Sequence, residues 1–287
     1  MTIPNDTTTI WRYMDVAKYV SLLANGLFFC RSTVFSDEWE GSWGGKDIDA
    51  FRNQNKLLNT NRISETWQSN LEKKQHSLAS IGISCWNQSE YENAALWALY
   101  MPRGLGVAIK TQVGRLLRSL QDTGRTVIPR RWEYMDYTDT SLGNDPINLL
   151  SHKRRVFEHE REIRFFLHYS DDEKNLMDYK KKISEIRNKR NVTSGNPIPL
   201  VITHGQVPSE DQGLFDQVTP EGMYLKVDLN TLIEDVYLVP QVPEYVRKAV
   251  VSISNAFNLP NWVKESESDR VPYDKLEFRD PPTGPEN

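Results

Sequence analysis

The stretch FEHEREIRFF, residues 157–166, holds three carboxylates, two arginines and four large apolar side chains, and its periodicity decides how the chain folds. As a helix, its charges form a solvated face, with Phe157 beside Leu149, Leu150 and Val156. As a strand, it sets Glu160, Glu162 and Arg164 on one side, where they can gather around a ligand. From residue 160 onward, Ile163, Phe165, Leu167 and Tyr169 alternate with Glu162, Arg164, Phe166 and His168. Period two with aromatic and β-branched enrichment favours a strand over 160–169. Just upstream, Asp145-Pro146 opens a helix, Asp as cap and Pro at the first position, that runs to about residue 156.

Working outward, further strands are read at residues 10–13, 27–31, 78–86, 106–110, 125–128, 132–137, 223–228 and 233–239. Helices are read at 15–25, capped by Asp15 and closed by Asn25-Gly26, and at 89–101, opened by a Ser89/Glu92 capping box and stopped by Pro102 and Gly104. Two more cover 113–120 and 245–257. Polar helical material fills 46–77, and an insertion at 171–196 with seven lysines and arginines reads as one exposed helix. The fold class is α+β: a compact mixed, mainly antiparallel sheet flanked by helices. The organisation is one domain over 1–264 and a loosely ordered acidic tail over 265–287.

At 287 residues, with 38% hydrophobic and 26% charged side chains, the chain has an ordinary soluble balance. It lacks any apolar run long enough to span a membrane, and MTIPNDTTTIWRY is no secretory signal. Cys30 and Cys85 read as buried free thiols in a reducing cytosol, so a cytoplasmic location is expected. The net charge of -4 argues against a general nucleic-acid coat. GLGVAIKTQVG lacks the third glycine of a dinucleotide fingerprint, and there is no phosphate loop or nucleophile elbow. His152 and His159 stand outside any HExxH pattern and no CxxC occurs, so no metal is expected. The basic run KKKISEIRNKR reads as a solvated helix face, with a nucleic-acid contact as the lesser alternative.

On a strand, residues two apart lie roughly 6.5–7 Å from one another. Glu160 and Glu162 would therefore repel, and Arg164 offers the counter-charge. Two readings follow: a solvent-facing row of salt-bridged charges on an edge strand, or a ligand-facing acidic pair that stabilises a cationic transition state. Trp97 and Tyr100 share a helix face and serve either as core or as a stacking platform. Arg12, between Trp11 and Tyr13, either snorkels, pairs with a carboxylate, or holds a phosphate or ribose.

In the order IWRYMDVAKYVSLLANGLFF, FSDEWEG, ISCWNQSEYENAALWALYMPRGLGVAI, HKRRVFEHEREIR and GMYLKVDLNTLIEDVYLVP, residues 10–260 resemble the mainly bacterial domain-of-unknown-function family 2971. More distantly, the order Arg12, Ser84, Glu160-Arg161-Glu162 is similar to ADP-ribosyltransferases, whose sheet is split. That resemblance implies NAD as co-substrate without a metal, transfer of ADP-ribose to a protein or nucleic-acid acceptor, and a bacterial toxin, toxin–antitoxin or phage-defence setting. It implies that Glu162 bonds the ribose hydroxyl and stabilises the oxocarbenium-like transition state, while Glu160 orients or deprotonates the acceptor. Arg12 would hold the pyrophosphate or adenosine ribose, Ser84 would support Glu162, and Trp97 or Tyr100 would stack on nicotinamide. Arg164 would stand with these cofactor-side residues. The chain departs from the pattern where Cys85-Trp86, not Thr-Ser, follows Ser84. A nucleotide or sugar hydrolase using the same acidic pair and a non-catalytic binding or antitoxin-like module are the alternatives.

Overall fold

The decisive stretch divides at Arg161. In the computed structural model, which describes residues 2–56, 60–101, 104–193, 212–259 and 263–269, Arg155–Glu160 is a 3-10 helix and Glu162–His168 is a strand. Arg161 turns the chain between them with a left-handed φ of 42°. Glu160 therefore lies off the strand that was expected to carry it. The helix expected over 145–156 also ends early, after Leu149. Ser151 Oγ donates to the Ile147 carbonyl and His152 Nδ1 bonds the Asn148 carbonyl, so side chains occupy the acceptors that a continuing helix needs.

In chain order the strands are β1 (Thr9–Asp15), β2 (Leu27–Arg31), β3 (Ile81–Gln88), β4 (Gly106–Gln112), β5 (Val127–Arg131) and β6 (Glu133–Met135). Then follow β7 (His152–Arg154), β8 (Glu162–His168), β9 (Val218–Thr219), β10 (Gly222–Leu225), β11 (Asp235–Leu238) and β12 (Val263–Lys264). The helices are α1 (Val16–Asn25), α2 (Gly45–Gln54), α3 (Thr60–Ala79), α4 (Ala94–Tyr100) and α5 (Val113–Ser119). The remaining ones are α6 (Pro146–Leu149), α7 (Asp171–Thr193), α8 (Gln212–Gln217), α9 (Leu229–Leu232) and α10 (Glu244–Ala256). The expected helix stop at Pro102 and most of the expected acidic tail, 270–287, lie outside the described residues, as does the end of the basic insertion.

The fold is a mixed, mainly antiparallel sheet flanked by helices, with β6 and β7 forming a small separate parallel pair. The main sheet runs β12-β11-β4-β1-β3-β2-β10-β9, and β8 and β5 join it through β3. Alternation assigns the two faces. Ile10, Phe29, Trp86, Ile109, Ile163 and Phe165 pack against α1, α5, α9 and α10 in the main core. On the opposite face, Trp11, Tyr13 and Ala108 meet Leu96 and Trp97 of α4, and Ile81, Ile83 and Phe166 meet Leu150 and Leu78.

One edge of β3 pairs with β8 along its length, from Ile81 to Asn87. The other edge is shared: β2 pairs at Gly82 and Ile83, and β1 pairs at Asn87 and Gln88. Between them, Ser84–Cys85–Trp86 has no partner strand on that side among the described residues, because β1 and β2 splay apart. The splay follows from α1, which joins them. Asp15 caps it by accepting from Lys18 N at 2.7 Å, and Gly26 ends it at a φ of 102°. A Cβ at Gly26 would fall 2.1 Å from the Leu225 carbonyl oxygen, so both the turn and the approach of β10 require glycine.

One carboxylate ties the start of the polar region over 46–77 to the loop at 141–143. Asp47 accepts from Ser141 Oγ at 2.6 Å, Leu142 N at 2.8 Å, Gly143 N at 3.2 Å and Gly44 N at 3.0 Å. Burial raises its carboxyl pKa, but these hydrogen bonds outweigh burial and hold it below the usual range. Asp47→Ala is expected to cost about 1–3 kcal/mol at pH 7 in urea denaturation. A lowered pKa gives stability that is complete above the unfolded value and lost as pH falls through the folded one. The difference from wild type should therefore shrink below about pH 4. A gap of the same size at pH 7 and pH 3 would show that the charge is not what holds the segment.

Candidate functional site

Where β1 and β2 part, a cavity of about 460 Å³ opens through the sheet, within the range of small-molecule sites. It is lined by Lys18 and Gly26 on the α1 side and by Asn87, Tyr100, Glu160 and Glu162 on the other. Arg12 reaches it from β1 on the main-core face, and Cys85 from the unpaired span of β3. Both early arginine and late acidic pair thus border one cavity, although they approach from opposite faces of the sheet.

Arg12 is held by a hydroxyl and an aromatic ring. Its Nη1 donates to Ser84 Oγ at 2.9 Å, and its guanidinium lies 5.7 Å from the centroid of the Trp86 ring. Among the described residues it forms no ion pair, and burial works against its charge. A guanidinium carries five donors, and Arg12, which lines the cavity, spends one of them on Ser84. Ser84 also accepts from Trp86 Nε1 at 3.1 Å, and it is fully buried. It braces Arg12 and not Glu162; the expected Ser84–Glu162 support does not form, because alternation places the two on opposite faces.

The acidic end is a compact ionic cluster. Arg164 donates from Nε to Glu162 Oε1 at 2.8 Å and from Nη2 to Glu40 Oε2 at 2.7 Å. Lys153 Nζ lies 2.7 Å from Glu160 and 3.4 Å from each of Glu162 and Glu40. Three carboxylates against two cations leave a formal charge of one negative. Trp132 stacks 3.7 Å from the Arg164 guanidinium, and Glu162 N donates to the Tyr134 hydroxyl at 2.8 Å. Burial alone would raise the Glu162 carboxyl, but the charges of Arg164 and Lys153 overcome it, so the pKa lies below the ordinary value. Glu162 is therefore ionised at neutral pH. The row is not a solvated edge: β8 lies between β3 and β5, and the Glu162 side chain is only 8% exposed.

Arg164 is a strut, fully buried beneath Glu162, and does not line the cavity. Trp97 is core as well: it meets the Tyr13 ring edge-on at 4.9 Å, and its Nε1 donates to Glu92. Asn93 caps α4, not Ser89, and Glu92 is drawn instead to Trp97 and Ser266. Tyr100 lines the mouth half-exposed, its phenol pushed up to about 12 by burial and by the nearby Glu160 and Glu162 charges. Cys30 and Cys85 are free thiols that border the cavity and are not fully buried. Burial raises both, Cys30 to about 11, so neither is a thiolate at neutral pH.

Sequence reasoning missed Glu40, Lys153 and Asn87. Glu40 is the last carboxylate of the FSDEWEG loop and Lys153 is the second residue of HKRR, so both were inside quoted motifs, but spacing alone does not say that they meet over Glu162. No described helix is long and apolar enough to cross a membrane. Comparison of the chain with protein-family models, curated proteins and solved structures gives no match.

Proposed function

We propose that the chain is an NAD-dependent ADP-ribosyltransferase acting on a macromolecular acceptor, in the bacterial cytoplasm and in the manner of a toxin or phage-defence effector. The observation that carries this reading is the polarity of one cavity: at one end a guanidinium that forms no ion pair among the described residues, at the other a carboxylate cluster with a formal excess of one negative charge in which Glu162 is ionised. A substrate with anionic phosphates and a cationic base matches that polarity end for end. Arg12, with Lys18 near it, binds the pyrophosphate. Tyr100 offers its ring to the base at the acidic mouth.

Glu162 supplies negative charge where positive charge develops on the sugar. As the glycosidic C–N bond breaks, its electron pair leaves with nicotinamide, and Glu162 accepts a hydrogen bond from the ribose hydroxyl. Glu160 then takes the proton of the acceptor nucleophile as the new bond forms. Lys153 and Arg164 hold both carboxylates in place, and their charges keep Glu162 ionised.

The test is incubation of the purified chain with NAD labelled in its adenylate half and with cell lysate. Label on protein or nucleic acid together with free nicotinamide is expected; neither product would overturn the reading. Glu160→Gln should lower transfer by about 10²–10⁴-fold while nicotinamide release persists, because only the acceptor step needs that base. Equal losses of transfer and cleavage would instead point to a hydrolase with water as acceptor.

A further inference from the structure

We propose that Asn87 sets the specificity of this cavity: its side-chain oxygen accepts a hydrogen bond from the primary carboxamide of the leaving base. The inference rests on the NAD reading above and deepens it by naming the group that is read.

Asn87 is 6% exposed and borders the cavity. Its Nδ2 donates to the Glu160 carbonyl oxygen at 2.5 Å. A carbonyl only accepts, so this contact fixes which end of the amide is nitrogen and which is oxygen. Oδ1 is left buried with no hydrogen-bond partner among the described residues. Buried acceptors in folded proteins are normally paired, so an orphan on a side chain that borders a cavity marks a place for a donor from a ligand.

Position narrows the donor. Asn87 stands opposite Glu162 on β8 and opposite Trp11 on β1, at the last pairing before β1 leaves β3. It therefore belongs to the acidic end, where Glu160 and Glu162 disfavour a phosphate or carboxylate. A neutral N–H donor fits both demands. The Arg12 end is left for the anion, and the two recognition points lie on opposite sides of the parted strands. Asn87 also ties the Glu160 backbone in place, so occupation of Oδ1 would act next to the acceptor-side carboxylate.

Three dinucleotides separate the contributions: NAD, its 3-acetylpyridine analogue and its nicotinic acid analogue. The methyl ketone keeps the carbonyl and loses the N–H groups, and the carboxylate loses the donors and adds a negative charge. Calorimetry on the wild-type chain should give affinity in the order carboxamide, methyl ketone, carboxylate, with the first step about 5- to 150-fold. Asn87→Ala should erase the first step and keep the second, because the acidic cluster remains. Equal wild-type affinity for carboxamide and methyl ketone would overturn the role of Asn87 while leaving the NAD reading intact. So would an Asn87→Ala protein that keeps the wild-type preference. Binding of none of the three would overturn the NAD reading itself, and this inference with it. The wild-type series needs no variant to fold.

Discussion

Arg164→Met should destabilise the fold by about 3–5 kcal/mol in urea denaturation, the cost of breaking a buried ion cluster from one side. Methionine fills much of the space, so the loss is not chiefly one of volume. What it removes is the charge that Glu162 and Glu40 both use, at 2.8 Å and 2.7 Å, and the hydrogen bond to the Leu150 carbonyl. Those carboxylates would then share Lys153, which already serves Glu160 at closer range. Three buried negative charges around one ammonium are uncompensated, and the least costly response is protonation or local opening. Adding Glu40→Gln and Glu162→Gln to Arg164→Met should therefore recover part of the loss, since the triple variant buries fewer unpaired charges. A loss under about 1 kcal/mol, or a triple variant less stable than the single one, would show that the cluster is not held by charge. Acid should act on the wild type in the same direction. The Glu162 pKa is lowered in the fold, so its stabilisation is complete above the unfolded carboxyl value of about 4.3 and fades as pH falls through the lowered folded value.

Much of the fold was legible because burial and period leave marks in sequence. β2 spans Leu27–Arg31 as read, and β8 covers most of the expected 160–169. Asp15, Asn25 and Gly26 mark α1 through capping chemistry that is local by nature. What failed was equally physical. HKR at 152–154 has no strand period of its own and is a strand only because β6 lies beside it. Ser89 and Glu92 match a capping box in spacing, but Asn93 caps α4, and Glu92 is bound by Trp97, Ser266 and Glu267, two of them more than 170 positions away. The basic helix α7 was read as one exposed helix. Its first half is docked, with Met177 in the core and Glu173 paired to Arg125. The candidate site was readable as a list of residue types and unreadable as an arrangement. Glu162, Arg164 and Arg12 stand out by being charged among apolar neighbours. That Glu40 and Lys153 complete the cluster is a tertiary fact with no local period or spacing behind it.

Glu162→Gln should lower the rate of nicotinamide release by about 10²–10³-fold with little change in the KM for NAD, the signature of an interaction made mainly in the transition state. Glutamine keeps the length and one oxygen for Arg164 Nε, so the β8 geometry can persist. The charge is what disappears. With Glu162 neutral, Glu40 and Glu160 only balance Lys153 and Arg164, and the cavity end that should meet a developing cation no longer has excess negative charge. Ground-state binding leans on Arg12 at the other end, which the substitution does not touch. Hence kcat should fall and KM should stay within a few-fold. Losing the carboxylate also removes the stabilisation that its lowered pKa supplies, so a lower melting temperature is expected on either reading. A purely structural Glu162 predicts in addition altered circular dichroism and loss of binding and turnover together, so steady-state kinetics and circular dichroism at a temperature where the variant is folded separate the two. Wild-type rates should be level through neutral pH and decline on the acid side as Glu162 protonates, while the glutamine variant loses that acid limb. A variant with kcat within tenfold of wild type, or one that keeps the acid limb, would remove Glu162 from the chemistry and leave the cluster as a buried clamp on β8.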